Sequence, residues 1–328
     1  MSPKRSDVVG RLPTSEEIAD ALEAAGYPLE LRVYRQFDDA QMAPVLSFRY
    51  RADEADPHTK EIDVLARLNA GGKFVDGEHQ APATISLWIP TEVKRVHNGA
   101  FVGIRGKDPS KLQRRHERSV AAGVPSWKVL GSRYDTARDV FIGDGGIAES
   151  FDLVNERPYC VQWATVKADK SERRFAGTHD VGCADDLQRL VRSSALLARE
   201  ITNRFLQFNV EGVATVCPDV TLLWPLLVVD APLYVYDPAE RSLHQTEWFT
   251  LRVGADLGGR PYEQPIDIVS AAGVPTIISK YLATGQRLSE WLATKANVLA
   301  GAAHGQVIIH RNANPRRPDF ISGRSQPE

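Results

Sequence analysis

The stretch TISLWIPTEVKRV, residues 84–96, combines the apolar pattern of a buried strand with charges at Glu92 and Lys94. Residues two apart in an extended strand point to the same face, so Glu92 and Lys94 project side by side and Val93 points away from them. Charged groups are costly in a strand that is otherwise this apolar. Their presence at this point of the strand therefore requires a reason.

A second strand pattern lies upstream in KEIDVLARL, residues 60–68. Its alternation turns Asp63 away from the face that carries Ile62 and Val64. If the two strands pair, Asp63 can lie beside Glu92, and two carboxylates at the end of a sheet repel each other and lose hydration. A divalent cation would remove that cost, since Mg²⁺ takes one or two carboxylates, a backbone carbonyl, water and phosphate oxygens.

Lys94 completes a constellation that suits hydrolysis of a phosphodiester. Beside a bound metal, Lys94 would orient an attacking water, deprotonate it in the neutral amine form, or neutralise charge on the transition-state phosphate. The competing explanation is a surface ion pair among Asp63, Glu92 and Lys94, which is common in proteins and contributes little to stability. The upstream Asp63 and an order of elements that begins with a helix favour the metal site.

An Asp on one strand and an E-x-K triplet on the next, after a first helix with an early Glu, resemble the PD-(D/E)xK superfamily of restriction-endonuclease-like nucleases. The resemblance implies that Asp63 and Glu92 bind Mg²⁺, with Mn²⁺ as a substitute, and that Val93 lends its backbone carbonyl as a further ligand. It implies that Lys94 is the catalytic lysine. It covers mainly residues 14–96.

The superfamily often adds an acidic residue of the first helix to the site, and Glu16 or Glu17 matches that position. Their location in a helical first turn is also explained by the helix dipole. The sequence departs from the family pattern in the long gap between Asp63 and Glu92, which predicts an extended Gly-rich loop over 69–82.

The remaining pattern predicts an α/β protein with a mixed central sheet flanked by helices, and the resemblance implies that its core is restriction-endonuclease-like. Residues 1–300 are expected to form one elaborated domain, and residues 301–328 a partly loose C-terminal extension. The core would comprise residues 14–96 and 184–295, with a large insertion over 97–183 after the E-x-K strand. Further elements are expected as helices over 14–28, 184–208 and within 272–301, and strands over 29–37, 45–51, 159–167, 222–229 and 247–253.

Composition restricts the setting of this chemistry. The chain has 328 residues, 43% of them hydrophobic, and a formal net charge of −2, so a polyanion would have to be held by a local basic patch. We expect such a patch, contacting the phosphate backbone, just after the proposed site. The three cysteines form no paired motif, and neither a signal peptide nor an apolar membrane span is recognisable, so a cytoplasmic protein without membrane contact is expected. The candidate nucleic-acid-binding residues are Lys107, Lys111, Arg114, Arg115 and Arg118.

The site pattern and the resemblance together predict a metal-dependent endonuclease acting on nucleic acid, with DNA the expected polymer, and the resemblance implies a role in bacterial defence or DNA processing. The alternative is a catalytically weak or silent module of the same fold that binds nucleic acid or protein within a larger complex. A phosphoesterase for a small molecule would use the same metal. A homodimer or an activating partner protein also stays open.

Overall fold

A computed structural model describes the chain in ten segments. They comprise residues 12–25, 27–51, 59–76, 79–96, 99–106, 158–169, 174–178, 181–204, 219–256 and 261–291. The first half of these residues forms helices α1 (Ser15–Ala25) and α2 (Tyr27–Asp39), strands β1 (Val45–Arg51), β2 (Thr59–Asp76), β3 (His79–Arg95), β4 (Gly99–Arg105), β5 (Tyr159–Asp169) and β6 (Arg174–Thr178), and helix α3 (Val181–Arg204). The second half forms strands β7 (Asp219–Leu223), β8 (Leu226–Asp230), β9 (Leu233–Asp237), β10 (Ser242–Thr246), β11 (Trp248–Asp256) and β12 (Pro261–Ser270), a 3₁₀ turn (Ala271–Gly273), and helix α4 over 274–291.

These strands form a single mixed sheet. Ten of them follow the order β1-β2-β3-β8-β12-β11-β5-β4-β9-β10, while β6 pairs with β5 and β7 pairs with β3. Strands β1, β2 and β3 form an antiparallel meander, whereas β3, β8 and β12 run parallel to one another. The fold is therefore α/β with a large mixed central sheet, and helices lie against the sheet.

Helix α3 crosses one face of this sheet. Its residues Leu187, Leu190 and Val191 are buried in one hydrophobic cluster with β8 and with Ile266 and Ile268 of β12. Because side chains alternate along a strand, Asp267 points to the opposite face. There its carboxylate accepts a 3.0 Å hydrogen bond from the Tyr281 hydroxyl of α4, which places α4 on the face opposite α3.

Residues 29–37 form part of helix α2, so the strand predicted there is wrong. The buried residues Leu29, Val33 and Phe37 recur every four positions and form one helical stripe, while Leu31, which the strand pattern required, is exposed. Helix α2 begins at Tyr27, and Pro28 lies in its first turn, where proline is tolerated.

The Gly-rich loop predicted over 69–82 is also wrong. Strands β2 and β3 continue through this region, and their antiparallel register runs from Val64↔Thr91 to Asp76↔His79. The 29-residue gap between the two carboxylates is thus taken up by a long hairpin. Glycine weakens a strand but does not exclude it. The glycines of this region therefore do not produce a loop when the residues on both sides pair as strands.

Part of the predicted insertion over 97–183 belongs to the sheet itself. Strand β4 pairs with β5 and β9, and β5 also pairs with β11, so both strands lie inside the strand order. Residues 107–157 and 292–328 lie outside the described residues. Among the helices that the structure describes, none has the length and apolar content needed to cross a membrane.

Candidate active site

Asp63 lies where the ladder between β2 and β3 ends. The register of the two strands, carried one residue past Val64↔Thr91, places Asp63 opposite Glu92. The Val93 backbone N–H donates a 2.7 Å hydrogen bond to the Asp63 carboxylate instead of to a backbone carbonyl. Because the N–H and C=O of a strand residue point to the same side of the strand, the Val93 carbonyl is directed towards β2 as well.

On its other side, Asp63 faces an irregular point of β1. The β1–β2 register includes Leu46↔Val64 and Phe48↔Ile62 but omits the position between them, where Ser47 would face Asp63. Ser47 has a positive φ of 52°, a left-handed conformation that non-glycine residues rarely adopt in a strand. Such strained residues concentrate at functional sites.

Glu92 is buried in the sheet and is bound by a side chain of helix α3. Only 1% of its surface is exposed. The Arg189 guanidinium donates from Nε to Glu92 Oε1 at 3.2 Å and from Nη2 to Glu92 Oε2, a bidentate pair. Both carboxylate oxygens of Glu92 are therefore occupied by one arginine.

Asp186, also on α3, joins the two cations of the site. Its Oδ2 atom lies 2.7 Å from Lys94 Nζ, and its Oδ1 atom accepts a 2.9 Å hydrogen bond from Arg189 Nη2. Positions 186 and 189 are three residues apart and therefore lie on the same side of the helix. Helix α3 thus supplies Asp186, which pairs with Lys94 of β3, and Arg189, which pairs with Glu92 of β3.

Burial and crowding of negative charge shift the carboxylates of this cluster. Burial, and then the charge of Asp63, raise the pKa of Glu92 to about 8, although Arg189 opposes the shift. Burial also raises the pKa of Asp63, against the hydrogen bond from Val93. Burial lowers the pKa of the Arg189 guanidinium, but its hydrogen bond to Glu92 and the surrounding carboxylates outweigh burial and raise it. Because these carboxylates are buried and crowded, an additional positive charge would be bound favourably at this site.

Glu30 of helix α2 is a further acid of the site that the sequence analysis missed. Burial, and then the charges of Asp63 and Glu61, raise its pKa to about 7, so its carboxylate is electrostatically coupled to Asp63. The signal that could have found it is the four-residue spacing of Leu29, Val33 and Phe37. A helix there makes Glu30 an acid of the helix immediately before β1.

Glu16 and Glu17 lie elsewhere, on helix α1. Glu17 accepts a 2.9 Å hydrogen bond from the Thr14 N–H, and the Thr14 hydroxyl accepts a 3.2 Å bond from the Glu17 N–H. This reciprocal pair is a capping box, which stabilises the start of a helix. Both glutamates are exposed. The basic residues Lys107, Lys111, Arg114, Arg115 and Arg118 lie outside the described residues.

The donor set at the end of β2 and β3 matches the chemistry of a magnesium site. Asp63, Glu92 and the Val93 carbonyl offer hard oxygen donors, and Mg²⁺ needs no more than one or two protein carboxylates. Within the described segments, no group of three or more acidic, histidine or cysteine side chains has the arrangement of a metal site. Arg189 donates to both oxygens of Glu92, so a cation bound by Glu92 would compete with Arg189 for the charge of this carboxylate.

Comparisons of the chain with family models, with curated proteins and with solved structures gave no match.

Proposed function

We propose that this chain is a divalent-metal-dependent nuclease of the PD-(D/E)xK type, which hydrolyses phosphodiester bonds in nucleic acid. The observation that carries the proposal is the meeting of Asp63, Glu92 and Lys94 at the end of the β2–β3 ladder. Asp63, Glu92 and the Val93 carbonyl would hold Mg²⁺, or Mn²⁺ in its place. The metal would act as a Lewis acid on the phosphate and lower the pKa of a bound water. Lys94 would orient or deprotonate the attacking water.

The order of elements around these residues supports the proposal. Along the chain come a helix (α2), three antiparallel strands (β1 to β3), a helix (α3) and a strand parallel to β3 (β8). Strands β4 to β6 lie between β3 and α3 in the sequence, and β7 lies between α3 and β8. This order is similar to the core of the restriction-endonuclease-like fold. Glu30 of α2 supports it further, because an acid from the helix before the first strand is the residue that the family adds to the site. We propose DNA as the polymer.

A second candidate function is a catalytically silent module that binds nucleic acid or protein. The observation that favours it is the pairing of Glu92 with Arg189 and of Lys94 with Asp186. These pairs satisfy the charges of the site within the protein itself. Such a module would keep the fold and the polar cluster without binding a metal.

Cleavage of plasmid DNA, linear DNA and single-stranded RNA in Mg²⁺, Mn²⁺ or EDTA tests the nuclease. We expect metal-dependent cleavage by the wild type and its loss in a folded Lys94→Ala variant, by roughly a hundredfold or more, the size typical of a lost general base. Lys280→Ala is the matched control, since Lys280 lies on α4 and contacts the Trp248 ring. We expect it to cleave like the wild type.

Calorimetric titration with Mn²⁺ separates the two candidate functions when no cleavage is seen. A wild type that binds Mn²⁺, compared with a Glu92→Ala variant that does not, would show an intact metal site that lacks an activator or the right substrate. Identical titrations of the two proteins without any heat of binding would refute the nuclease and leave the binding module.

A further inference from the structure

Arg189 has an unusual position for a residue that only neutralises a buried acid. Its side chain is 43% exposed, whereas the Glu92 side chain that it binds is 1% exposed. It uses Nε and Nη2 for its bonds to Glu92 and Asp186. Within the part of the chain that the structure describes, its Nη1 group has no hydrogen-bond partner. Nη1 is therefore the donor group that remains available beside the carboxylate pair, and the edge formed by Nε and Nη2 is held by Glu92.

The guanidinium group of Arg189 suits a phosphate group. Arginine binds carboxylate and phosphate with the same bidentate geometry, so a guanidinium that holds Glu92 could hold a phosphodiester equally well. Asp186 fixes the position of the guanidinium through Nη2 and simultaneously holds the Lys94 ammonium group. The substrate phosphate would thus meet Arg189 next to the lysine proposed to act on the water.

We propose that Arg189 is the phosphate-binding residue of this site and that it exchanges Glu92 for the substrate when a divalent cation is bound. This inference rests on the proposed function, because the cation is what takes over the charge of Glu92. Without metal, Glu92 holds the guanidinium. With metal, Glu92 faces the cation and Arg189 is released to the phosphodiester, while Asp186 keeps both Arg189 and Lys94 in place. Asp186 is a positioning residue in this scheme.

The test measures binding of a short fluorescent DNA duplex by anisotropy, with Mn²⁺ and with EDTA. It uses the Lys94→Ala background, in which cleavage is blocked. Adding Arg189→Ala is expected to weaken duplex binding by roughly tenfold or more in Mn²⁺, the loss of one charge-assisted bidentate contact, and to change it little in EDTA. Mn²⁺ affinity measured without DNA is expected to stay equal or to rise, because a competing cation has been removed.

Two further variants test whether the effect is specific to the guanidinium group of Arg189. Arg189→Lys keeps the charge but lacks the fork, so it is expected to fold normally and to lose most of the Mn²⁺-dependent gain in duplex binding. Arg192→Ala removes an exposed arginine of the same helix and is expected to have the same small effect with Mn²⁺ and with EDTA.

The outcomes distinguish this proposal from the function on which it rests. Wild-type Mn²⁺ binding together with equal duplex affinities of the background and the Arg189→Ala protein would overturn the role of Arg189 alone. Equal losses in Mn²⁺ and in EDTA would overturn the exchange. A wild type that binds neither Mn²⁺ nor the duplex would overturn the proposed function itself.

Discussion

At the scale of single residues, the site concentrates negative charge that the protein only partly compensates. Asp63, Glu92 and Asp186 face two cations, Lys94 and Arg189, and Glu30 adds a further acid nearby. The raised pKa of Glu92 is the clearest sign of this imbalance. A proton then competes with any metal for the Glu92 carboxylate, and this competition gives the site a pH dependence.

The pH dependence follows from the sign of the shift. Since burial raises the pKa of Glu92 to about 8, a proton competes with a cation for its carboxylate more strongly as the pH falls below that value. Mn²⁺ affinity is expected to rise with pH, by up to about tenfold per unit, and to level off above about pH 8. Calorimetry in buffers of different ionisation enthalpy measures both the affinity and the protons released.

A control for this titration is Glu290→Gln. Glu290 is an exposed residue of α4, on the sheet face opposite Glu92, so removing its charge is expected to preserve the pH dependence. An Mn²⁺ affinity that stays constant between about pH 6 and pH 8 would contradict the raised pKa of Glu92.

The two candidate helical acids can be separated by matched substitutions. Glu30→Gln removes a negative charge that is coupled to Asp63, so Mn²⁺ binding is expected to weaken by about threefold to tenfold. Glu17→Gln is expected to leave Mn²⁺ affinity and stability unchanged, because glutamine also completes a capping box. Titration of both variants with Mn²⁺ checks the assignment, and a loss confined to Glu17→Gln would reverse it.

At the scale of elements, the strands of the site and helix α3 could be predicted, and helix α2 could not. Side chains alternate between the two faces of a strand with a period of two residues. The alternation around Asp63 and Glu92 therefore predicted that the two acids would be neighbours if β2 and β3 paired, as they do. The run 29–37 satisfies both a strand pattern at Leu29, Leu31 and Val33 and a helical pattern at Leu29, Val33 and Phe37. Local sequence alone does not decide between the two patterns.

The contacts that α3 makes with the site could not be predicted from local sequence patterns. Arg189 meets Glu92 across 97 positions of the chain, and that contact depends on how α3 crosses the sheet. The helix itself was predicted from its apolar stripe. Tertiary packing decides which of its polar residues contacts the E-x-K strand. The sequence alone does not distinguish such a residue from a charged residue that faces solvent.

The start of α1 provides a prediction at the element scale. Thr14→Ala removes the hydroxyl that accepts the Glu17 N–H, which is expected to destabilise the protein by about 0.5–2 kcal/mol through fraying of α1. Mn²⁺ affinity is expected to stay unchanged, since α1 packs against α2 and supplies no atom to the carboxylate pair. Urea unfolding gives the stability, and an unchanged midpoint would show that α1 contributes nothing to the cooperative unit.

At the scale of the whole molecule, a second buried acid shows what a purely structural carboxylate looks like in this fold. Asp267 is 0% exposed and lies on the sheet face opposite Glu92. It accepts hydrogen bonds from Trp224 Nε1 at 2.7 Å, Thr250 Oγ1 at 2.6 Å and Tyr281 OH at 3.0 Å. Neutral donors satisfy it from three separate elements, whereas Glu92 is held by a half-exposed arginine.

This contrast assigns the two faces of the sheet different tasks. The Asp267 network joins the segment before β8, strand β11 and helix α4, so its loss should affect the stability of the whole fold and not the metal site. Tyr281→Phe leaves the ring in the core and removes one hydrogen bond to a carboxylate, which is expected to cost about 1.5–3 kcal/mol.

Urea unfolding of Tyr281→Phe, alongside calorimetry with Mn²⁺, measures both effects in one protein. Tyr27→Phe is the matched control, since Tyr27 is 59% exposed and its change is expected to stay within about 0.5 kcal/mol. A lower unfolding midpoint with unaltered Mn²⁺ affinity would support the separation of the two faces. A Tyr281→Phe protein that is as stable as the control would show that this hydrogen bond does not stabilise the fold. Loss of Mn²⁺ binding by a folded Tyr281→Phe protein would show that the two networks are coupled through the sheet.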